Sequence, residues 1–185
     1  MDGTTFGLGV LVTGSLWSLS MLAFTALLLL ASVIDARSRR FPNALAAAMA
    51  ALALAVALIA AEGRASRLAL TPASEPVGDA ALALMTLRQL AVPLACAAIL
   101  CAVLFGFELL WRRARGSAGL GMGDVKLLFA LVLADPARGV IAFAGGLALL
   151  ALACLASRKA SLPLIPFVFP AWVAAVLIGP ALPLA

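Results

Sequence analysis

Two aspartates lie where apolar stretches of the chain meet charged or glycine-rich segments. Asp35 ends an apolar run in VIDARSRRFPN and Asp124 opens another in GMGDVKLL, in a chain with only 8 acidic residues. A carboxylate beside hydrocarbon is costly, so both residues are candidates for a functional site. Each could instead serve its own helix. Asp124 suits an N-cap that accepts from the following turn, whereas Asp35 is the worse cap because a helix C-terminus disfavours an anion.

A pair of carboxylates has a definite chemistry. Two carboxylates that meet in a low-dielectric site cannot both ionise readily, so one keeps its proton near neutral pH. The ionised acid can then take a proton from water while the protonated acid polarises an amide carbonyl, which is peptide hydrolysis. The chain has no histidine, which removes the usual Ser-His and Cys-His bases and the commonest metal ligand. We therefore expect Asp35 and Asp124 to act without a metal or cofactor.

Glycines precede Asp124 at every second position. Gly119, Gly121 and Gly123 permit a close approach that a Cβ would block, so an extended peptide could lie beside the carboxylate. The segment is not a nucleotide-binding loop, because it matches neither G-x-G-x-x-G after a strand nor G-x-x-x-x-G-K-[ST]. Lys126 is either an anchor for lipid headgroups or a charge that biases a neighbouring acid.

The remaining reactive residues have simpler interpretations. Cys96, Cys101 and Cys154 lie within apolar runs and form no C-x-x-C pair, which indicates core residues rather than a zinc site or a disulfide framework. Glu108 precedes Arg112 by one helical turn, the spacing of an ion pair along a helix. Asp35 and Asp124 therefore remain the only acids that we expect to form a pair.

Composition places these residues in a membrane. The 185 residues are 65% hydrophobic and 11% charged, and their mean hydropathy is +1.19, whereas soluble domains carry about 25% charged residues. Apolar runs bounded by charge, Gly or Pro predict an all-α polytopic protein with about six transmembrane helices in one domain, residues 1–185. The predicted spans are Leu16–Ile34, Asn43–Ala61, Leu87–Leu110, Val125–Ala134, Val140–Ala156 and Ile165–Leu182, of which the fourth is short for a full crossing.

The basic residues between these spans predict the orientation. If the cluster 37–40 is cytoplasmic, the clusters 112–115 and 158–159 are cytoplasmic too, and the chain obeys the positive-inside rule. Both aspartates then lie at the cytoplasmic face. The clusters have no soluble domain to display them, so they favour membrane lipid as a partner and argue against nucleic acid.

Two further segments complete this topology. The N-terminal residues MDGTTFGLG lack the basic start of a signal peptide, so we expect the first span to be retained. The long connection of residues 62–89 contains two prolines and is expected to be external and partly irregular, with a short interfacial helix.

The two aspartate motifs together resemble those of the type IV prepilin peptidases. GMGDVKLL resembles the family's G-x-G-D motif, and DARSRRFPN resembles the block in which Pro and then Asn or Asp follow the other aspartate. The resemblance runs from about Leu16 to the last residue. It implies a GxGD-type intramembrane aspartic protease with Asp35 and Asp124 as catalytic acids. The supporting residues that it implies are Gly121, Gly123, Lys126, Pro42 and Asn43.

The resemblance also implies a substrate and a location. The protein would remove the short basic leader of prepilins or pseudopilins at the cytoplasmic face of the bacterial inner membrane, for a pilus or a type II secretion-like assembly system. Longer family members carry paired C-x-x-C motifs associated with N-methylation of the cleaved pilin. This chain has none and resembles the short, peptidase-only members, such as those of tight-adherence pilus systems, so no methyltransferase activity is expected.

One segment departs from the family pattern. LPLIPFVFP, residues 162–170, resembles a proline-containing segment ahead of the last span, but Phe169 and Pro170 stand where Gly-Pro is often found. We expect its prolines to break the helix at membrane depth, where irregular backbone can line a cavity.

Other interpretations use the same two acids. A presenilin-like or signal-peptide-peptidase-like protease shares G-x-G-D, but the block with Asp35, Pro42 and Asn43 argues against it. A transporter or proton relay is expected to hold its acids near the midplane, within repeated broken helices, and neither sign is visible in the sequence. A non-catalytic scaffold of the secretion machinery would leave the acids and glycines without an explanation.

Overall fold

The computed structural model of the chain describes residues 3–39, 41–69, 79–116, 121–158 and 162–178. Within these ranges all regular structure is helical, which confirms the all-α prediction. Four of the six helices, all but α4 and α6, have the length and apolar character that a membrane crossing requires. The helices are α1 (Gly3–Ser38), α2 (Asn43–Ala69), α3 (Asp79–Arg115), α4 (Met122–Ala134), α5 (Pro136–Ser157) and α6 (Ile165–Ile178).

Several helices are longer than the apolar runs that predicted them. Residues 62–69 extend α2 and residues 79–89 begin α3, so the connection over 62–89, which was predicted to be partly irregular with a short helix, is helical at both ends. These extensions are rich in Ala, Leu and Arg, whose helix propensity does not depend on a membrane. The two prolines of the connection fall outside the described residues, as does the end of the predicted sixth span beyond Ile178.

Helix α4 is short and lies inside the bundle. Its 13 residues span about 20 Å, which confirms that it is too short for a hydrocarbon core of about 30 Å. Its buried residues occur on all sides of the helix, as expected for an interior helix, and it packs against α2, α3 and α5. Contacts of α1 with α2 and α6, and of α5 with α6, complete a ring of five helices, with α3 covering α2 and α4.

Helix α6 is attached to α1 by a buried aromatic cluster. The rings of Phe24 and Trp172 lie 5.3 Å apart in a tilted arrangement, and both side chains are fully buried. The Trp172 indole donates a hydrogen bond to the Thr25 hydroxyl at 3.1 Å, so the polar atom of the tryptophan is satisfied inside the core. The contact sets the position of α6 along α1.

The prolines of α6 do not break it. Pro166 lies in the first turn, where a backbone N–H has no helical partner, and Pro170 lies inside a helix that continues to Ile178. The prediction of a helix break was therefore wrong for Pro166 and Pro170, whereas Pro163 lies in the non-helical residues 162–164 ahead of α6. Pro170 has no N–H and therefore removes one helical hydrogen bond, and α6 packs against α1 and α5.

Two glycines bring α5 close to its neighbours. A Cβ on Gly139 would lie 2.6 Å from the carbonyl carbon and oxygen of Leu131 in α4, and a Cβ on Gly146 would lie 2.5 Å from Cγ2 of Val168 in α6. Small residues at membrane helix interfaces allow such approach. They set the separation of α5 from α4 and from α6.

We predict that Gly139→Ala destabilises the bundle by about 1–3 kcal/mol, because backbone must move to admit the methyl group. The measurement is unfolding of the purified protein in mixed micelles. Gly106→Ala in α3 is the matched control, since a Cβ there meets nothing within 4 Å. Equal stability of both variants would show that the α4 to α5 contact is not tight.

Candidate functional site

The two aspartates lie at the same end of the bundle. Asp35 is in the last turn of α1 and Asp124 is in the first turn of α4. Asp35 is buried, with 8% of its surface exposed, and Asp124 is half-buried. The two side chains are close enough for the charge of Asp35 to act on Asp124. The fold therefore brings together the two acids that sequence analysis singled out.

A backbone donor from a third helix holds Asp35. The N–H of Ile165 donates to Oδ2 of Asp35 at 3.3 Å, and Ile165 is the first residue of α6. The carboxylate thus lies at the C-terminus of its own helix, which disfavours an anion, but at the N-terminus of α6, which favours one. Arg39, one turn after Asp35, adds a positive charge nearby.

Sequence analysis missed Ile165 because its contribution is a backbone N–H, which no side chain marks. A usable signal was nevertheless present. Proline is common in the first turn of a helix, so Pro166 in LPLIPFVFP indicates a helix start as well as it indicates a break. The first turn of a helix also has backbone N–H groups without helical partners, and these can donate to a carboxylate.

The Asp124 carboxylate turns back towards Gly121, which precedes it in the chain. Its Oδ2 accepts from the backbone N–H of Gly121 at 3.1 Å, and its own N–H donates to the Gly121 carbonyl at 3.0 Å. The N-cap is therefore Gly121, and the alternative that Asp124 is itself the N-cap was wrong, because α4 begins two residues earlier at Met122; the Asp124 carboxylate accepts from the N-cap backbone instead. A Cβ on Gly121 would lie 3.2 Å from Oδ2, so glycine leaves room for this carboxylate.

The turn after α1 is attached to the first turn of α4. A Cβ on Gly123 would lie 3.2 Å from Cβ of Phe41, so the two backbones approach closely. The Lys126 ammonium donates to Oδ1 of Asn43 at 2.8 Å. Lys126 thus has a partner on α2, which neither predicted role had included. Sequence analysis overlooked Phe41 because its side chain has no polar or ionisable group.

The other residues of the predicted set have local positions. Pro42 immediately precedes α2, and its carbonyl accepts the N–H of Ala46 at 3.0 Å, in the first turn. Gly119 lies outside the described residues. The ion pair of Arg112 and Glu108 is present at 2.5 Å, which confirms that prediction, and it accounts for the buried Glu108 carboxylate without a role at the site.

A comparison with protein families gives a match that covers most of the chain. The model of the type IV leader peptidase family matches residues 22–179. The matched region begins in α1 before Asp35 and includes α6, so it contains every contact described above. Comparisons with curated proteins and with solved structures gave no significant match.

We predict that the Lys126 to Asn43 hydrogen bond couples the starts of α2 and α4 by about 0.5–1.5 kcal/mol, since it involves a charged donor at an exposed position. The measurement is a double-mutant cycle of Lys126→Met and Asn43→Ala, read by unfolding in micelles. Arg158→Met combined with Asn43→Ala is the uncoupled control. Additive effects of Lys126→Met and Asn43→Ala would show that the bond does not join the two helices in solution.

Proposed function

The chain belongs to the type IV leader peptidase family, and from this premise we propose that it is an aspartic endopeptidase that removes the basic leader of prepilins or pseudopilins. The membership makes it a membrane protease. The observation that carries the finer proposal is the convergence of Asp35 and Asp124 at one end of the bundle, within electrostatic reach of each other. Two acids in such an arrangement suffice to hydrolyse an amide.

The proposed reaction uses the two acids as one unit. The ionised carboxylate removes a proton from water as the water oxygen attacks the scissile carbonyl, and the protonated carboxyl donates to the carbonyl oxygen. Collapse of the tetrahedral intermediate breaks the C–N bond, and the amine leaves with the proton first taken from water. The carboxylate that had donated its proton takes one back from a hydroxyl of the intermediate, which leaves the product carboxyl group and restores the pair. The acid and base roles belong to the pair rather than to either residue.

Each acid has a backbone donor that supports this proposal. Ile165 donates to Oδ2 of Asp35 and Gly121 donates to Oδ2 of Asp124. Such bonds restrict the rotation of a carboxylate, and a restricted pair loses less entropy when it meets substrate and water together. In this proposal Gly121, Gly123, Lys126, Pro42 and Asn43 support the two carboxylates rather than react.

The proposed location is the cytoplasmic face of the bacterial inner membrane. At the aspartate end of the bundle the described residues include Arg37, Arg39, Arg112, Arg113 and Arg158. Towards the opposite end the described residues include Arg64, Arg88 and Arg138, the last of them paired with Asp135. The excess of arginines at the aspartate end is what the positive-inside rule predicts for a cytoplasmic face. A substrate with a basic leader and an apolar helix would present its boundary at that face, and the product would enter a pilus or a type II secretion-like assembly system.

We predict that Asp35→Asn and Asp124→Asn each reduce leader cleavage by at least about 10³-fold, because one acid cannot make both proton transfers. The measurement is the mass of a prepilin co-expressed with each variant. Asp135→Asn is the matched control, since Asp135 lies at the other end of α4 and caps α5. It should retain cleavage, and a fully active Asp35→Asn or Asp124→Asn would remove that residue from the mechanism.

We predict a graded effect of side chains at position 123. Gly123→Ala must displace Phe41 by a few tenths of an ångström, whereas Gly123→Val adds two more methyl groups and should lower cleavage by about 10²-fold through misplacement of Asp124. The measurement is the rate of prepilin cleavage at equal amounts of inserted protein. Gly106→Val, in open space on α3, controls for the valine itself. Unchanged cleavage by Gly123→Val would show that close packing on Phe41 is not required.

A further inference from the structure

A cavity of about 890 Å³ lies at the other end of the bundle. Its walls come mainly from α1, α2, α4, α5 and α6, and most of them are apolar. The wall residues include Ala57, Ala60, Leu133, Ile141 and Ala175. Cavities of this size and character are typical of small-molecule sites between the helices of bundles.

This cavity is separate from the aspartate site. Asp124 is in the first turn of α4 and Leu133 is near its end, so the two regions lie about 14 Å apart along that helix. Fully buried side chains fill the space between them on three helices. They are Phe24 and Leu28 on α1, Leu131 on α4, and Val168 and Trp172 on α6. A ligand in the cavity would therefore not touch either catalytic candidate.

Charged and aromatic groups line one part of this cavity. The Arg138 guanidinium pairs with Asp135 at 2.8 Å and lies over the ring of Trp17, 6.0 Å from its centroid. Arg64 of α2 also lines the cavity, and its side chain is exposed. Two guanidinium groups and one carboxylate leave a net charge of about one positive unit beside an apolar volume.

We propose that the cavity binds an anionic phospholipid, with its phosphate at Arg64 and Arg138 and an acyl chain between the helices. Three of the walls, α1, α2 and α5, are helices long enough to cross the bilayer, so lipid is the solvent around the cavity. Arginine and tryptophan are the side chains that meet headgroups at a membrane interface. The net positive charge favours a headgroup without a cation, such as that of phosphatidylglycerol, over phosphatidylethanolamine.

The test of the headgroup uses the full chain, purified and stripped of lipid, and native mass spectrometry with added lipid. Phosphatidylglycerol should bind about tenfold more tightly than phosphatidylethanolamine, and Arg64→Gln should remove most of that difference through loss of a charged hydrogen bond. Arg113→Gln, an exposed arginine at the aspartate end, is the matched control and should bind as the wild type does. Equal affinity for the two lipids, or an equal loss in both variants, would overturn the proposal.

The test of the acyl chain fills the cavity. Ala60→Phe places a ring in the volume and should weaken phosphatidylglycerol binding by about tenfold or more, whereas Ala51→Phe on an exposed position of the same helix should not. Unchanged binding to Ala60→Phe would show that the chain lies elsewhere and would overturn the proposal. Because Arg64 is exposed, the Arg64→Gln arm remains decisive even if Ala60→Phe fails to fold. Neither readout depends on cleavage of a substrate.

Discussion

The buried carboxylate of Asp35 is the constraint on which the arrangement of the helices depends. A carboxylate with 8% of its surface exposed needs a donor, and its own helix offers none at that end. The donor is the first N–H of α6, which has to arrive at the right height beside the last turn of α1. The bond determines where α6 begins relative to the last turn of α1, while packing against α5 and α1 holds the rest of the helix.

The rest of the bundle meets this requirement through close contacts. Gly146 lets α5 lie against Val168, and the bond from Trp172 to Thr25 fixes the height of α6 against α1. On the other side, the turn after Asp35 meets α4 through Phe41 and Gly123. The two acids are therefore positioned by contacts among α1, α4, α5 and α6. Asp35 and Asp124 are far apart in sequence, and helix packing rather than a bond between their side chains brings them together.

Sequence patterns predicted the parts of the structure that local chemistry determines. Apolar runs located six helices, the spacing of Glu108 and Arg112 identified an ion pair, and alternation across the membrane put both aspartates at one end. The failures share a different cause. The donor at Ile165, the reversed cap of Asp124 and the contact of Phe41 with Gly123 all involve backbone or plain apolar atoms, whose partners depend on tertiary packing. The prolines of α6 were misjudged because the same residue type begins helices and interrupts them.

The shortness of α4 has a consequence for the membrane around the protein. Its 13 residues include Asp124 in the first turn and end just before Asp135, and they cover about two thirds of an ordinary hydrocarbon thickness. The longer helices around it match the bilayer, so hydrophobic mismatch is not relieved by thinning of the surrounding lipid. At least one end of α4 therefore lies below the level of the headgroups, and its polar groups need partners from the protein or from water that enters the bundle. The apolar path along α4 is shorter than the path through the lipid beside it, although the longer helices of the bundle have the length of a full crossing.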